Sequence, residues 1–256
     1  DPLEQLENAG PYGTAFQVAG TIPMYFPPLI TFGYEFGDLI AEEVKVGVDR
    51  IQMKLSFKKQ FAHLDLPLGG AFNADNALTV MATLLSLGYT LLEAVVGLSA
   101  VEPVPGRFET IPNSRGIGVV VDYAHTPDAM RKVLETARSV TQGKLICVFG
   151  CGGDRDRTKR PLMTAASLEH ADYSIMTTDN PRTEDPEQIF ADMSTGVDPA
   201  RYLVVKDRRD AIFRAIQEAQ PGDMVAILGK GHETYQIIGR EKLPFDDREV
   251  AREALA

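Results

Sequence analysis

The sequence predicts an α/β fold whose second part is a mostly parallel sheet with helices on both faces. Two observations lead to this prediction. After residue 103, short apolar segments rich in β-branched residues alternate with helical segments, and most of the unusual polar clusters directly follow a predicted strand. A third observation divides the chain. The segment 101–109 contains two prolines and a glycine, which resist regular structure, so we place a domain boundary between residues 1–102 and 103–256.

The first part is predicted to contain few elements for its length. Three strands are expected, the last two forming a hairpin: 29–34, 50–57 and 61–67. A helix is predicted over 73–88, with Asn73 as its cap and apolar residues nearly all round, so we expect it to be buried. A second helix is predicted from Thr90, as its cap, to Leu98, whereas residues 12–28 show no clear period and are expected to be a loop.

The second part alternates strand and helix throughout. The predicted strands are 118–123, 145–149, 173–177, 202–205 and 224–228. The predicted helices are 127–139, 159–170, 187–193 and 208–219. A hairpin is expected over 235–245, turning at Gly239 and Arg240. Ligands of such sheets bind at the carboxyl ends of the strands, which is where the polar clusters lie.

Composition and charge exclude several classes of function. Hydrophobic residues make up 44% and charged residues 24%, a balance typical of globular proteins, and the net charge of −10 argues against binding to nucleic acid or an anionic membrane. No apolar run approaches a membrane span, and the first ten residues do not resemble a signal peptide, so we expect a cytoplasmic protein. Cys147 and Cys151 form a single CxxxC pair, which is a poor zinc site.

Glycines and charged residues at 150–157 directly follow the strand predicted over 145–149. Glycines let backbone N–H groups approach a ligand, and a helix N-terminus favours anions. The pattern is not a Walker A loop, because G-x-x-x-x-G-K-[ST] is absent from the chain. A tight surface turn with solvated charges would give the same local pattern, so the residues alone leave both interpretations open.

The segment 179–182 follows the third strand and pairs an acid with an arginine. Pro181 stiffens the loop, Arg182 offers a planar fork that matches a carboxylate, and Asp179 can accept from an ammonium group. Together these groups suit a zwitterionic amino acid, although an Asn-Pro turn with a local ion pair is an equal alternative. Glu233 could take a second ammonium group, or could simply be a solvated turn residue. Helix capping does not explain His125 at a strand end.

Five motifs in this order resemble the Mur ligases, most closely the members that add diaminopimelate, over essentially all of 103–256. They are GRFE (106–109), DYAHTPDA (122–129), FGCGGDRDRTKRP (149–161), DNPRTEDP (179–186) and GKGHE (229–233). A weaker match, GAFNADNAL (70–78), resembles the end of the family's central ATPase domain. The resemblance implies a Rossmann-like C-terminal domain over 103–256, preceded over 1–102 by a remnant of the central domain.

The resemblance also implies a reaction. ATP, with Mg²⁺ on its phosphates, would phosphorylate the D-glutamate carboxylate of UDP-MurNAc-L-Ala-D-Glu. The amine of meso-diaminopimelate would then attack the acyl phosphate and form the amide. No nucleic acid or membrane partner is implied, and no metal ligand lies in this chain.

Site residues follow from the matching motif positions. The diaminopimelate-binding set implied by the resemblance is Arg155, Asp179, Asn180, Pro181, Arg182, Gly229 and Glu233. The implied nucleotide contacts are Asn73, Asn76, Arg107 and Asp122, and His125 would lie near the reacting centre. Lysine lacks the second carboxylate of diaminopimelate and would leave two arginines near that end unpaired. The lysine-adding relatives lack the arginine of DNPR, so by this resemblance Arg182 favours diaminopimelate.

The family's P-loop and its carbamylated lysine have no counterpart in this sequence. We therefore expect the chain to be a portion of a longer ligase and not to turn over ATP alone. A stand-alone amino-acid-binding module or an inactive remnant is one alternative. A lysine-adding, other Mur or folylpolyglutamate-type ligase is another, although DNPR together with GKGHE is typical of the step that adds the third residue of the peptide.

Overall fold

A computed structural model describes residues 28–256, so the loop expected over 12–28 lies outside the described residues except for its last position. The structure divides into two compact units, one ending at Glu102 and the other running from Pro103 to Ala256. Each is described by itself. No helix within residues 28–256 has both the length and the apolar character needed to cross a membrane.

The first unit is a four-stranded sheet with two helices. Its elements are β1 (Phe32–Gly33), β2 (Leu39–Val46), β3 (Ile51–Phe57), β4 (Gln60–Leu66), α1 (Ala71–Ser86) and α2 (Leu91–Ser99). The sheet order is β1-β2-β3-β4, in which β2, β3 and β4 are antiparallel neighbours and β1 runs parallel to β2. Alternate residues of β3 are buried together with apolar residues of both helices, so one face of the sheet forms the core.

Several expectations for this unit were wrong. The strand expected over 29–34 has only two residues, and β2 was not predicted. The N-cap of α1 is Gly70 rather than Asn73, which lies inside the first turn and donates from Nδ2 to the Gly69 carbonyl at 2.7 Å. Nor is α1 buried all round, because only one stripe faces the sheet and Val80 remains 46% exposed. The capping role of Thr90 is confirmed by a complete capping box with Glu93.

The second unit follows the predicted alternation closely. Its strands are β5 (Glu109–Thr110), β6 (Gly118–Asp122), β7 (Leu145–Phe149), β8 (Tyr173–Met176), β9 (Tyr202–Val204), β10 (Met224–Leu228), β11 (Tyr235–Ile238) and β12 (Glu241–Pro244). Its helices are α3 (Pro127–Val140), α4 (Lys159–His170), α5 (Pro186–Met193), a 3-10 turn (Pro199–Arg201), α6 (Arg208–Glu218) and α7 (Asp247–Leu255). Of these, β5, the 3-10 turn and α7 were not predicted.

The main sheet has the order β5-β6-β10-β7-β8-β9, and all neighbours pair in parallel except β5 with β6. Helices α6 and α7 pack on one face, where the core includes Val119, Val148 and Ile227. Helices α3 and α4 cover the other face, and the hydroxyls of Ser167 and Ser174 join α4 to β8 at 2.8 Å. This confirms the predicted α/β class with a mostly parallel sheet. The carboxyl ends of β6, β7, β8 and β10 therefore meet at one edge.

Candidate functional site

The loops that follow β6, β7, β8 and β10 enclose a cavity of about 480 Å³. Seven residues that the sequence singled out line this single cavity: His125, Arg155, Asp179, Asn180, Arg182, Gly229 and Glu233. Basic and acidic side chains share the lining, including Lys159 and Asp156 near the start of α4. A cavity that presents charges of both signs suits a small zwitterion better than an apolar ligand.

The DNPR loop, residues 179–182, is held by the terminal hairpin β11–β12. The Arg182 amide donates to the Ile237 carbonyl at 3.0 Å, and the Gly239 amide donates to the Arg182 carbonyl at 2.7 Å. The Ile237 amide donates to Asn180 Oδ1 at 2.9 Å. Arg182 adopts a positive φ of 53°, a conformation that costs free energy for a residue with a side chain, and these bonds hold it there.

The glycine-rich loop after β7 packs directly on the DNPR loop. The Gly153 amide donates to the Asn180 carbonyl at 2.9 Å, and Arg182 Nη1 donates to the Gly153 carbonyl at 2.8 Å. A Cβ atom at Gly153 would lie 1.9 Å from the carbonyl oxygen of Pro181, which is itself buried. This close approach requires glycine, and it places the guanidinium of Arg182 at the cavity wall.

Asp179 is buried at the base of the cavity and is only 8% exposed. Its Oδ1 accepts from the Asn180 amide at 2.6 Å. Its Oδ2 lies against Gly229, where a Cβ atom would come within 2.9 Å of it, and Gly229 has a φ of 115° that favours glycine. The first residue of the GKGHE loop is thus a glycine because the carboxylate of the DNPR loop occupies the space beside it.

Lys230 belongs to the GKGHE loop and links it to the DNPR loop. Its side chain is fully buried, and Nζ donates to Asn180 Oδ1 at 3.1 Å and to Glu233 Oε2 at 3.0 Å. Asn180 Nδ2 also donates to Glu233 Oε2 at 3.0 Å. Burial raises the pKa of Glu233, but the hydrogen bonds from Lys230 and Asn180 outweigh it, so the pKa lies below its usual value and the carboxylate is charged.

Lys230 was not predicted to be part of the site, although Gly229 and Glu233 of the same motif were. The available signal was a lysine between two glycines directly after an apolar strand. Tyr235 was also missed, and its hydroxyl donates to Glu233 Oε1 at 3.3 Å at the cavity edge. Arg160 was the third omission. It is 1% exposed and pairs with Glu184 at 2.6 Å, which anchors α4 beneath the glycine-rich loop.

The predicted nucleotide contacts of this unit lie at the end of β6. Asp122 accepts from the amides of Phe108 and Ala124, both at 2.7 Å, and its burial raises its pKa. The guanidinium of Arg107 lies 5.0 Å from the Tyr123 ring centroid. Asp122 therefore organises the loops around the strand end, and Arg107 is left exposed beside them.

His125 is exposed at the cavity rim, and its Nδ1 lies 2.8 Å from the Tyr123 carbonyl. Thr126 caps α3 by accepting from the Ala129 amide. Asn73 and Asn76 belong to the first unit, where Asn76 Nδ2 donates to Asn73 Oδ1 at 3.2 Å. The roles of these residues toward a nucleotide stay predictions.

Comparison with known proteins identifies the family. Residues 106–231 match the family described as "Mur ligase, glutamate ligase domain". Residues 106–231 therefore form a Mur ligase domain. Among curated Mur ligases, the UDP-N-acetylmuramoyl-L-alanyl-D-glutamate–2,6-diaminopimelate ligase of Geobacillus kaustophilus (strain HTA426) is 44% identical over 231 residues, which is 89% of this chain and 47% of the relative. The ligase of the same name from Clostridioides difficile (strain 630) is 47% identical over 232 residues, or 90% and 48%.

Solved Mur ligase structures agree with the sequence matches. A structure of UDP-N-acetylmuramoyl-L-alanyl-D-glutamate–2,6-diaminopimelate ligase superposes with a TM-score of 0.71 and 40% identity, covering 88% of this chain and 47% of that one. The MurF ligase of Thermotoga maritima, solved in complex with ADP, has a TM-score of 0.56 at 17% identity over 88% of this chain and 47% of its own, and shows the shared fold alone. This chain thus spans about half the length of the relatives that it matches.

Proposed function

We propose that the second unit is the amino-acid-binding domain of an ATP-dependent ligase that adds meso-diaminopimelate to UDP-MurNAc-L-Ala-D-Glu through an acyl phosphate. One observation carries the proposal: arginines and carboxylates from three separate loops, among them Arg155, Arg182, Asp179 and Glu233, line one cavity at the carboxyl edge of the sheet. The names of the similar ligases agree with this substrate. Because the chain spans about half of those relatives, ligation itself would need the rest of such a protein.

The charges of the cavity fit the two ends of diaminopimelate. Asp179 and Glu233 would accept from ammonium groups, and Arg155 and Arg182 would donate to the distal carboxylate. Arg182 is rigidly placed by its bond to the Gly153 carbonyl. Arg155 is exposed and donates from Nη1 to the Asp154 carbonyl at 3.3 Å. Holding both ends of the molecule would leave the attacking amine in one position, and positioning of this kind lowers the barrier to amide formation.

ATP and magnesium belong to the same proposal. Arg107 and Asp122 would meet the nucleotide from this unit, while Asn73 and Asn76 would do so from the first unit, which we assign to the end of a central ATPase domain. His125 would lie near the reacting centre. Magnesium would supply charge compensation on the phosphates. Within residues 28–256 no cluster of His, Cys, Asp and Glu is arranged to hold a metal ion.

Isothermal titration calorimetry on the 256-residue chain tests the amino-acid assignment. We expect diaminopimelate to bind at least about tenfold more tightly than lysine, because lysine has no second carboxylate to accept hydrogen bonds from the Arg182 guanidinium. The Arg182→Ala variant should lose this preference. Arg240→Ala is the matched control, since Arg240 is exposed at the hairpin turn and does not line the cavity. Equal affinity of the unmodified chain for lysine and diaminopimelate would refute the assignment.

A further inference from the structure

Lys230 is the one fully buried lysine among residues 28–256, and neither the motif resemblance nor the proposed reaction gives it a task. A lysine is rarely removed from water completely unless it is paired, because an isolated buried ammonium group is costly. Here the ammonium has two hydrogen-bond partners, and both of them line the proposed amino-acid cavity: Asn180 and Glu233. The location of its partners indicates a role in the site rather than in the core.

The contacts divide the two oxygens of Glu233 between the protein and the cavity. Oε2 accepts from both Lys230 Nζ and Asn180 Nδ2, each at 3.0 Å. Oε1 has only the Tyr235 hydroxyl, at the longer distance of 3.3 Å. A carboxylate oxygen can accept more than one hydrogen bond, so Oε1 keeps capacity for a ligand donor. Two short bonds on Oε2 fix the plane of the carboxylate group and leave Oε1 as the oxygen to be shared.

Lys230 also fixes the other loop of the site. Asn180 Oδ1 accepts from Lys230 Nζ and from the Ile237 amide, so the Asn180 side chain is held in one orientation with its Nδ2 directed at Glu233. The amide cannot rotate without losing three bonds. The lysine is therefore the common partner of two side chains, Asn180 and Glu233, that lie 53 residues apart in the sequence.

We propose that Lys230 is a positioning residue for recognition of the ligand's ammonium group: it holds the carboxylate of Glu233 in orientation through Oε2, so that Oε1 accepts from that ammonium. This inference rests on the proposed function and adds to it the residue that sets amine selectivity. Arg182, by contrast, would set carboxylate selectivity, and it has no bond to Lys230. Amine and carboxylate recognition are thus separable by mutation.

Two ratios of dissociation constants, measured by calorimetry on the 256-residue chain, report the two kinds of recognition. The amine ratio is the Kd of 2-aminopimelate, which lacks one amine, divided by the Kd of diaminopimelate. The carboxylate ratio is the Kd of lysine divided by the Kd of diaminopimelate. For the unmodified chain we expect both ratios to be about tenfold or more, the effect of one charge-assisted hydrogen bond.

The Lys230→Met variant, which keeps the length of the side chain without its charge, should reduce the amine ratio to near one. It should leave the carboxylate ratio within about threefold of the starting value, the scatter expected for an interaction that is not coupled to the change. A merely structural lysine would behave differently, because a distorted pocket lowers both ratios together. The matched control is Lys132→Met on the exposed face of α3, which should change neither ratio.

A double variant keeps the test decisive if the single variant is poorly folded. Lys230→Met combined with Glu233→Gln removes the buried charge pair as a whole, which is less destabilising than leaving one partner unpaired. Its amine ratio should equal that of Glu233→Gln alone, because the lysine, directly and through Asn180, acts on amine recognition by way of that carboxylate. Three results would overturn the inference: a lower amine ratio in the double variant than in Glu233→Gln, an unchanged amine ratio in Lys230→Met, or a fall of both ratios in Lys230→Met. The proposed binding of diaminopimelate would stand in each case. No binding of diaminopimelate to the unmodified chain would reject the proposed function and the inference with it.

Discussion

The ion pair between Arg208 and Asp247 gives a quantitative prediction about the second unit. Both side chains are fully buried, and they share two hydrogen bonds, at 2.8 and 2.7 Å. Arg208 Nη2 also donates at 3.0 Å to the carbonyl of Leu228, the last residue of β10. The pair therefore joins α6, α7 and the strand that leads into the GKGHE loop.

Asp247→Asn keeps the shape of the side chain but leaves the guanidinium buried without a counter-charge. Breaking a buried pair on one side costs about 3–5 kcal/mol. The same two helices supply a matched control, because Arg209 and Glu253 form an ion pair on their outer surface with side chains 47% and 54% exposed. Exposed pairs contribute about 0–1 kcal/mol, so Glu253→Gln should have little effect.

Hydrogen–deuterium exchange measured by mass spectrometry on peptides from α6 and β10 reports the stability of this unit separately from the first. At about 1.4 kcal/mol per factor of ten, Asp247→Asn should accelerate exchange of the slowest of these amides by at least about a hundredfold. Glu253→Gln should change it by less than about fivefold. Similar, small effects of the two variants would refute the argument that the buried pair holds these elements together.

Three further perturbations follow from the structure. Gly153→Ala should raise the Kd for diaminopimelate at least about tenfold by calorimetry, since its Cβ would lie 1.9 Å from the Pro181 carbonyl oxygen; retained affinity would show that the loops need not approach so closely. Gly97→Ala in α2, where a Cβ meets nothing within 4 Å, should stabilise the first unit by about 0.5–1 kcal/mol in hydrogen exchange of α2 peptides, and a loss of stability would contradict the helix position. Hydrogen bonds to arginines lower the pKa of Glu184 and of Asp192 to about 2, so their stabilisation is complete above about pH 5 and is lost as the pH falls toward 2. Replacing both acids by amides should flatten this part of the acid unfolding curve recorded by circular dichroism, and an unchanged curve would contradict the assignment.

Most of the second unit could be predicted because its strands are buried on both faces. Such strands are continuous apolar runs, and β7 and β10 were predicted to the residue. The start of helix α3 carries a clear sequence signal, because Thr126 is a good capping residue and Pro127 suits the first helical position. Helix α7 was missed because it is short and strongly charged, although its cap, Asp246, follows the same rule.

The first unit was less predictable because its signals conflict. Strand β2 carries charged residues and an irregularity near Glu43, whose φ is 51°, so its alternation is broken. Asn73 is a good capping residue by type, yet Gly70 begins α1 three positions earlier. The side chain of Asn73 then bonds back to the Gly69 carbonyl. The preference of Asn73 for a capping position did not decide where α1 begins. The helix starts where the chain leaves the preceding strand, at Gly70.

The position of the site could be predicted, but the hydrogen bonds between its loops could not. Parallel strands bring their carboxyl ends to one edge, so the loops after four strands had to meet there. Local sequence does not show that the hairpin β11–β12 binds the DNPR loop, or that Lys230 reaches Asn180, because these contacts join residues fifty or more positions apart. Such contacts depend on tertiary packing, which the sequence motifs encode only indirectly.

A crystal structure of the 256-residue chain with meso-diaminopimelate tests the central assignment most directly. The account predicts the ligand in the cavity of the second unit, with its distal carboxylate within hydrogen-bond distance of Arg182 and Arg155. Its ammonium group at that end should lie within hydrogen-bond distance of Glu233 Oε1. Diaminopimelate bound outside this cavity, or bound within it with its carboxylates away from both arginines, would contradict the account.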